Sequence, residues 1–325
     1  MKSFALWIER DDKEAGTGEE VKSSVEINFN YLTDCMNMDD HDPALDIGIK
    51  YEYKEEMKNI CIYIPFLIRR EDIADLGKCL SDNKEILNSI FNENYTTHNV
   101  ETINFCNVMD KGVVVFSVYA LDIQHDLQIT NDFEGTIIKI KAKKPEEDCA
   151  FKIYYRFRIE TAALKEMKNV YTPTNNVLSS SFERYSYVDF RFNDYRTLDT
   201  GLIEEMQKKT NVSIFIEKFH FLLITKAQIQ VMASEEYTER SLNKELWNAY
   251  YQDFGQENLI VANHWHKKAK EKEIKEVSLL IKFHENVCTN RTIAVYVLIL
   301  FALTVLFNSI STWVWELWLR GWLGL

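Results

Sequence analysis

Apolar and polar residues alternate along most of this chain, and that period of two predicts β-strands. Val25, Ile27, Phe29 and Tyr31 alternate with Glu26, Asn28 and Asn30. Leu45, Ile47, Ile49, Tyr51 and Tyr53 repeat the pattern, as do Ile60, Ile62, Ile64 and Phe66. These segments read as half-buried antiparallel strands. From 71 to 92 the spacing of Ile73, Leu76, Leu80, Leu87 and Phe91 changes to that of a helix. Segments 113–121, 122–130 and 135–143 then read as a meander. The run KAKKPEED at 141–148 is the expected linker.

A second β-rich unit follows. Phe151, Ile153, Tyr155, Phe157 and Ile159 take one face of a strand, leaving Lys152, Tyr154, Arg156 and Arg158 on the other. A strand at 182–192 sets Val188, Phe190 and Phe192 against Tyr185, Tyr187 and Arg191. The longest apolar strand is expected at 211–231, with His220 as a satisfied core histidine. Helices are expected at 239–251 and 267–281, the charged KKAKEKEIKE being solvated. The organisation is therefore α+β: acidic β-rich residues 1–144 with one helix, a second β-rich and helical unit at 145–288, and a C-terminal segment at 289–325.

That last segment is of a different kind. From Thr292 the chain reads TIAVYVLILFALTVLFNSISTWVWELW, with no charge before Glu316. The 19 residues 292–310 form a helix about 28 Å long at about 1.5 Å per residue, close to the hydrocarbon thickness of a bilayer. A single transmembrane helix is expected. Lys267, Lys268, Lys270, Lys272, Lys275, Lys282 and Arg291 precede it and only Arg320 follows. The positive-inside rule then holds the bulk of the chain in the cytoplasm. No leader of the secretory kind opens the sequence. Within the apolar segment Asn308, Ser309, Ser311 and Thr312 form a polar patch ahead of Trp313, Trp315, Trp318 and Trp322. Such a patch either lines an aqueous path built from several copies or sits at the interface beside an aromatic belt. Asn308, Ser309 and Thr312 are the candidate pore-lining residues.

Charge is uneven over the 325 residues. The formal net charge is −12, of which residues 1–100 carry −10. Six cysteines (Cys35, Cys61, Cys79, Cys106, Cys149, Cys288) lie scattered without a CxxC pair, as reduced thiols do. No phosphate-cradling glycine loop, GxSxG elbow, HExxH or EF-hand spacing is present. AGTGEE at 15–20 lacks the ending of a P-loop and reads as a turn. Asp39, Asp40, His41 and Asp42 offer metal-ligand types without metal-ligand spacing. His264 and His266 share a face only if they lie in a strand. No enzyme, cofactor or metal is expected.

The pattern with most chemical content is the mixture of Tyr154, Arg156, Arg158, Tyr185, Tyr187 and Arg191. Flat π faces among guanidinium groups stack bases and neutralise phosphates in sites for single-stranded nucleic acid. Lys139, Lys141, Lys143 and Lys144 would extend the basic track. The alternative is strand propensity, with the arginines paired to Asp189, Glu183 and Glu160.

In layout, a large β-rich module followed by one C-terminal span and no catalytic motif, the chain resembles the membrane effectors of bacterial anti-phage systems controlled by nucleotide signals. Among these it is similar to the Hailong effectors. The resemblance covers domain order and the TIAVYVLILFALTVLFNSISTWVWELW segment; it carries no residue-by-residue assignment of a binding site. It implies a homo-oligomer in the lipid bilayer that disrupts the membrane, controlled by a nucleotide or short single-stranded DNA made by a partner nucleotidyltransferase. A tail-anchored adaptor whose β domains bind a protein partner is the competing reading. The polar patch favours the first.

Overall fold

The period-two segments fold into three sheets in the computed structural model, which describes residues 2–11, 21–33, 42–100, 104–171, 183–208, 211–251, 259–270, 272–286, 290–315, 318 and 320–323. The sequence positions 15–20, Cys35, Asp39, Asp40, His41, Cys288 and Glu316 lie outside these. The first strands are β1 (Ala5–Arg10), β2 (Lys22–Leu32), β3 (Ala44–Glu52), β4 (Met57–Ile64) and β5 (Ile73–Asp75), followed by helices α1 (Gly77–Asp82) and α2 (Lys84–Phe91). Next come β6 (Thr96–Asn99), β7 (Phe105–Asp110), β8 (Val113–Tyr119), β9 (Leu127–Asp132), β10 (Gly135–Lys141), β11 (Lys152–Glu160), β12 (Lys168–Tyr171) and β13 (Glu183–Phe192). Helix α3 (Thr200–Met206), β14 (Ser213–Lys226), β15 (Gln230–Ala233), β16 (Thr238–Ser241), helix α4 (Lys244–Tyr251), β17 (Ile260–Lys268) and β18 (Val277–Asn286) lead to α5 (Asn290–Val314) and α6 (Arg320–Leu323). The fold is α+β.

A ten-stranded sheet in the order β16-β17-β14-β2-β3-β11-β8-β7-β6, with β5 also on β11, forms the middle layer. One of its faces packs on two four-stranded sheets, β1-β4-β10-β9 and β12-β13-β18-β15. Phe29 lies at the centre of that core, with ring centroids 5.3 Å from Phe4, 5.0 Å from Phe190 and 5.7 Å from Phe192. The opposite face is partly covered by α1, α2 and α4 through Leu80, Ile86, Leu87, Trp247, Tyr250 and Tyr251. A strand in the large sheet therefore buries both faces along much of its length.

Several expectations need correction. The units foreseen at 1–144 and 145–288 share the large sheet: β11 pairs with β3, and β14 with β2. The sheet is mixed, because β2–β14 and β8–β11 run parallel. No meander joins β8 to β9; of the three segments only β9 and β10 pair with each other, while β8 pairs with β7 and β11. The helix foreseen at 71–92 opens instead with the short strand β5 and then gives two short helices, since the Asn83 side chain accepts from the Glu85 and Ile86 N–H groups and starts a new one. Residues 277–286 form a strand in place of a helix. There Val277, Leu279, Ile281 and Phe283 alternate into the core, outweighing the helical spacing of the lysines before them.

The large apolar cluster predicts the cost of opening it. Phe29→Ala should lower unfolding stability by about 3–5 kcal/mol, seen as a lower urea midpoint at unchanged slope. A change within about 0.5 kcal/mol would place the core elsewhere.

Candidate functional site

The helix-covered face of the large sheet is built in transverse rows, because pairing sets residues of five strands side by side. One row reads Lys268, Lys218, Glu26, Lys50 and Tyr154. The next reads His266, His220, Asn28, Gly48 and Arg156, and the third His264, Leu222, Asn30, Asp46 and Arg158. A bulge in β14 makes this possible. Ile216 and Phe219 both enter the apolar core, and the register shift between Ile216 and Lys218 absorbs the change of phase. Lys218 and His220 are thereby turned to the other face, as bulges re-aim side chains near sites.

Where the helices leave the sheet uncovered, these rows floor a cavity of about 580 Å³. Its walls carry the cations Lys50, Lys218, Lys267, Lys268, Arg156 and Arg240 against the carboxylates Glu26, Glu93 and Glu239. Glu26 is shared by Lys50 at 2.7 Å and Lys218 at 3.1 Å. Burial pushes the Glu26 carboxyl up, and the two ammonium groups more than reverse it, leaving its pKa below the usual range. Burial lowers the Lys50 pKa despite Glu26 beside it. Arg240 donates to the Ser89 carbonyl at 3.3 Å, while its buried Nε has no acceptor among the described residues. Aromatic surface comes from Phe91, Tyr95, Tyr154 and Trp247.

Three histidines line the same cavity. His220 Nδ1 lies 2.9 Å from His264 Nε2, and the His266 ring centroid is 6.4 Å from that of His220. Burial, with neighbouring histidines and cations, lowers the pKa of His220 and His264 to about 4 each. Both rings are therefore neutral near pH 7. The reading of His220 as a solitary core residue is replaced by this pair. It was hidden because the register joining β14 to β17 is not written in either strand alone. Among the described residues, no three His, Cys, Asp or Glu side chains are placed to hold a metal ion.

The six residues proposed for a nucleic-acid face do not come together. Tyr154, Arg156 and Arg158 lie on β11 in the large sheet, whereas Tyr185, Tyr187 and Arg191 lie on β13 in a small sheet. The first three are buried, Arg156 completely. Arg156 donates to the Tyr250 hydroxyl, to Asn28 Oδ1 at 2.9 Å and to Tyr154 Oη at 3.0 Å. Arg158 grips Asp46 with two hydrogen bonds of 2.7 and 3.2 Å. Asp46, wholly buried, also faces Arg156 Nη2 at 3.6 Å. The aromatic partners of these guanidiniums are internal: Arg158 stacks 4.6 Å from the Tyr251 ring and 5.1 Å from that of Tyr250. Tyr154 and Arg156 still reach the cavity as its floor.

The remaining candidates are dispersed. Tyr185 stacks on His284 at 4.9 Å, Tyr187 is exposed, and Arg191 is bound by Asp189 at 2.9 Å, the pairing that strand propensity alone foresaw. Lys139 pairs with Glu9 at 2.6 Å, and Lys143 with Asp126, on the β1-β4-β10-β9 side of the protein. They extend no track toward Arg156. Asp42 pairs with Lys165 at 2.9 Å.

Among the described residues one helix is long and apolar enough to cross a membrane, Ile293–Val314 within α5, and none of it is buried. Its 22 residues span about 33 Å. The helix continues through the polar patch. Ser309 Oγ donates to the Val305 carbonyl at 2.9 Å, and Thr312 Oγ1 to the Asn308 carbonyl at 3.0 Å. Thr304 does the same to Leu300 at 2.8 Å. These hydroxyls are satisfied within the helix, as in lipid they must be. The Asn308 amide has no such partner among the described residues. At about 100° per residue, Thr304, Asn308, Ser311 and Thr312 share one stripe and Ser309 lies to its side.

No family model matches the chain, and no curated protein matches it. Among solved structures, an M1 zinc metallopeptidase from Deinococcus radiodurans aligns at 8% identity over 81% of this chain and 42% of its own, with a TM-score of 0.28. The chain thus spans under half of that protein's length. The yeast delta-COP-I mu-homology domain, complexed with a Dsl1 WxWxV peptide, aligns at 10% identity over 84% of this chain and 78% of its own, with a TM-score of 0.20. At these scores neither likeness bears on function.

Two outcomes follow from the buried charges. Asp46→Ala should cost about 3–5 kcal/mol, because it leaves two desolvated guanidiniums without their carboxylate; a urea midpoint unchanged from wild type would show that the arginines do not depend on it. The depressed histidines act through pH. Between pH 6.5 and about 4 the unfolded chain binds protons that His220 and His264 refuse when folded, so stability contributed by their neutrality is lost as pH falls through that window. His220→Gln with His264→Gln should flatten this part of the urea-midpoint profile relative to wild type.

Proposed function

We propose that this chain is a ligand-controlled membrane effector: several copies assemble through α5 and permeabilise a bacterial inner membrane in anti-phage defence. The β-rich region receives a nucleotide or short single-stranded oligonucleotide in the cation-lined cavity, and the ligand sets the state of the helices. No catalytic step is assigned to the chain. The observation that carries the reading is a reversal of charge: a protein of formal net charge −12 lines one recess with six cationic side chains against three carboxylates, and the outlying Asp46 behind Arg156 and Glu235 on Lys267 still leave an excess of cations. Concentrated positive charge beside aromatic surface suits phosphates joined to flat bases. The span supports the membrane half of the proposal, since an amide at membrane depth is satisfied by other helices or by water. One helix cannot enclose a path, so assembly of copies is part of the reading.

The test is potassium efflux from vesicles that hold equal amounts of inserted protein, with and without short oligodeoxynucleotides. Asn308→Leu should abolish efflux without releasing protein from the membrane, and Ser309→Ala should leave it near wild type because that hydroxyl is already bonded to its own helix. Equal efflux from wild type and Asn308→Leu would remove the amide from the conducting surface. No efflux under any condition would favour the tethered adaptor.

The cavity half is read by binding. Replacing Lys218 and Lys268 together with Ala should weaken oligonucleotide binding and reduce the slope of log affinity against log salt by about 0.7 for each phosphate left without its cation. An unaltered slope would mean that the phosphates bind elsewhere.

A further inference from the structure

We infer that the cavity takes up one proton with its anion, held by the hydrogen-bonded pair His220 and His264. The inference rests on the cavity being the ligand site, and adds what regulates it. The pair is built for a single proton. When neutral it holds one hydrogen in the bond of 2.9 Å between His220 Nδ1 and His264 Nε2 and a second on one outer nitrogen, so the other outer nitrogen is a lone pair. A proton from solvent converts that lone pair into a donor and leaves the central bond intact. A further proton would set two N–H groups against each other across the bond, so the capacity is one.

The surroundings make this uptake conditional on an anion. Toward the two rings face Glu26 from β2, Lys50 from β3, Arg156 from β11 and Lys218 from β14. From the other side come Glu239 and Arg240 on β16 and His266, Lys267 and Lys268 on β17, while Glu93 and Tyr95 approach from the segment after α2. Cations outnumber carboxylates, and both rings are half-buried. Burial first, and after it the cations and neighbouring histidines, oppose another positive charge there, with only Glu26 favouring it on His220, which keeps the proton affinity of both rings low. Each unit of negative charge brought to about 5 Å favours protonation by roughly a few hundredfold at an effective dielectric near 20. A ligand carrying two such charges would therefore protonate the pair near neutral pH. By linkage, affinity is greatest at low pH, falls as pH rises from the proton affinity of the empty site to that of the occupied one, and levels off above it.

The experiment uses the full-length chain in detergent and two probes, a thymidine tetramer with hydroxyl ends and inorganic sulfate. Neither changes its own charge between about pH 5.5 and 8, so any proton taken up belongs to the protein. Calorimetric titrations near neutral pH in two buffers of different ionisation enthalpy should show uptake approaching one proton per site. Affinity should fall by up to about tenfold per pH unit over the range in which that proton is taken up, between the proton affinities of the empty and the occupied site. His220→Gln with His264→Gln should still bind while losing both effects. Wild-type binding whose heat is the same in both buffers overturns the shared proton and leaves the cavity as the binding site. If neither probe binds, or if Lys218→Ala with Lys268→Ala binds as wild type does, the cavity reading itself falls. The wild-type buffer comparison decides the matter even if the histidine variant does not fold.

Discussion

Asp46 is one carboxylate between two arginines in the middle of the large sheet, and the covered side of that sheet is organised around it. Burying Arg156 and Arg158 without an anion would be prohibitive, and a single carboxylate still leaves the group with an excess of one positive charge. The remainder is met by dipoles and π faces. Tyr250 accepts from Arg156 through its hydroxyl and from Arg158 through its carbonyl, the latter at 3.3 Å, which fixes α4 on the sheet. With α4 in place, Trp247 becomes a wall of the cavity. Gly48 completes the arrangement, since a Cβ there would collide with Tyr154 Oη and Asn28 Oδ1, two acceptors of the Arg156 guanidinium.

What was legible in the sequence was periodicity, and what was not was pairing. The alternation in β2, β3, β4, β11 and β13 is visible residue by residue, and so is the apolar span. The partner of each strand is not. That Tyr154, Arg156 and Arg158 face away from the apolar core is a property of β11 alone, and the fold keeps it. That this face is covered depends on α4, some ninety residues further on, and an alternating strand looks the same whether helices or water lie over its second side. Arginines alternating with tyrosines therefore suggested a surface, while the charges they needed lay on β3.

The cavity was hidden for a related reason. Its floor is a set of rows across strands that are distant in sequence, and parallel pairing of β2 with β14 brings Asn28 beside His220 over an interval no local motif records. One signal was present. In β14 the apolar phase changes between Ile216 and Phe219, and a change of phase inside a strand calls for a bulge. With that bulge, Lys218 and His220 turn toward the face that Glu26 and Asn28 occupy. His264 and His266 then share their face with His220 once β17 is known to be its neighbour.

One rule, that a polar group away from water needs a partner, separates the parts of this chain that are complete from those that look outward. At Asp46 the rule is met within the chain by both arginines, and the result is a fixed scaffold. In α5 the hydroxyls of Thr304, Ser309 and Thr312 meet it by bonding to their own helix. The Asn308 amide finds no such partner among the described residues and looks outward from its helix. The cavity stands between these cases. Lys50 and Lys218 divide one carboxylate, and Arg240 holds a buried Nε with no acceptor among the described residues, so the recess is short of negative charge. An anion would make that deficit good, and the rings of His220 and His264, kept neutral chiefly by burial, are the groups whose proton affinity would register its arrival.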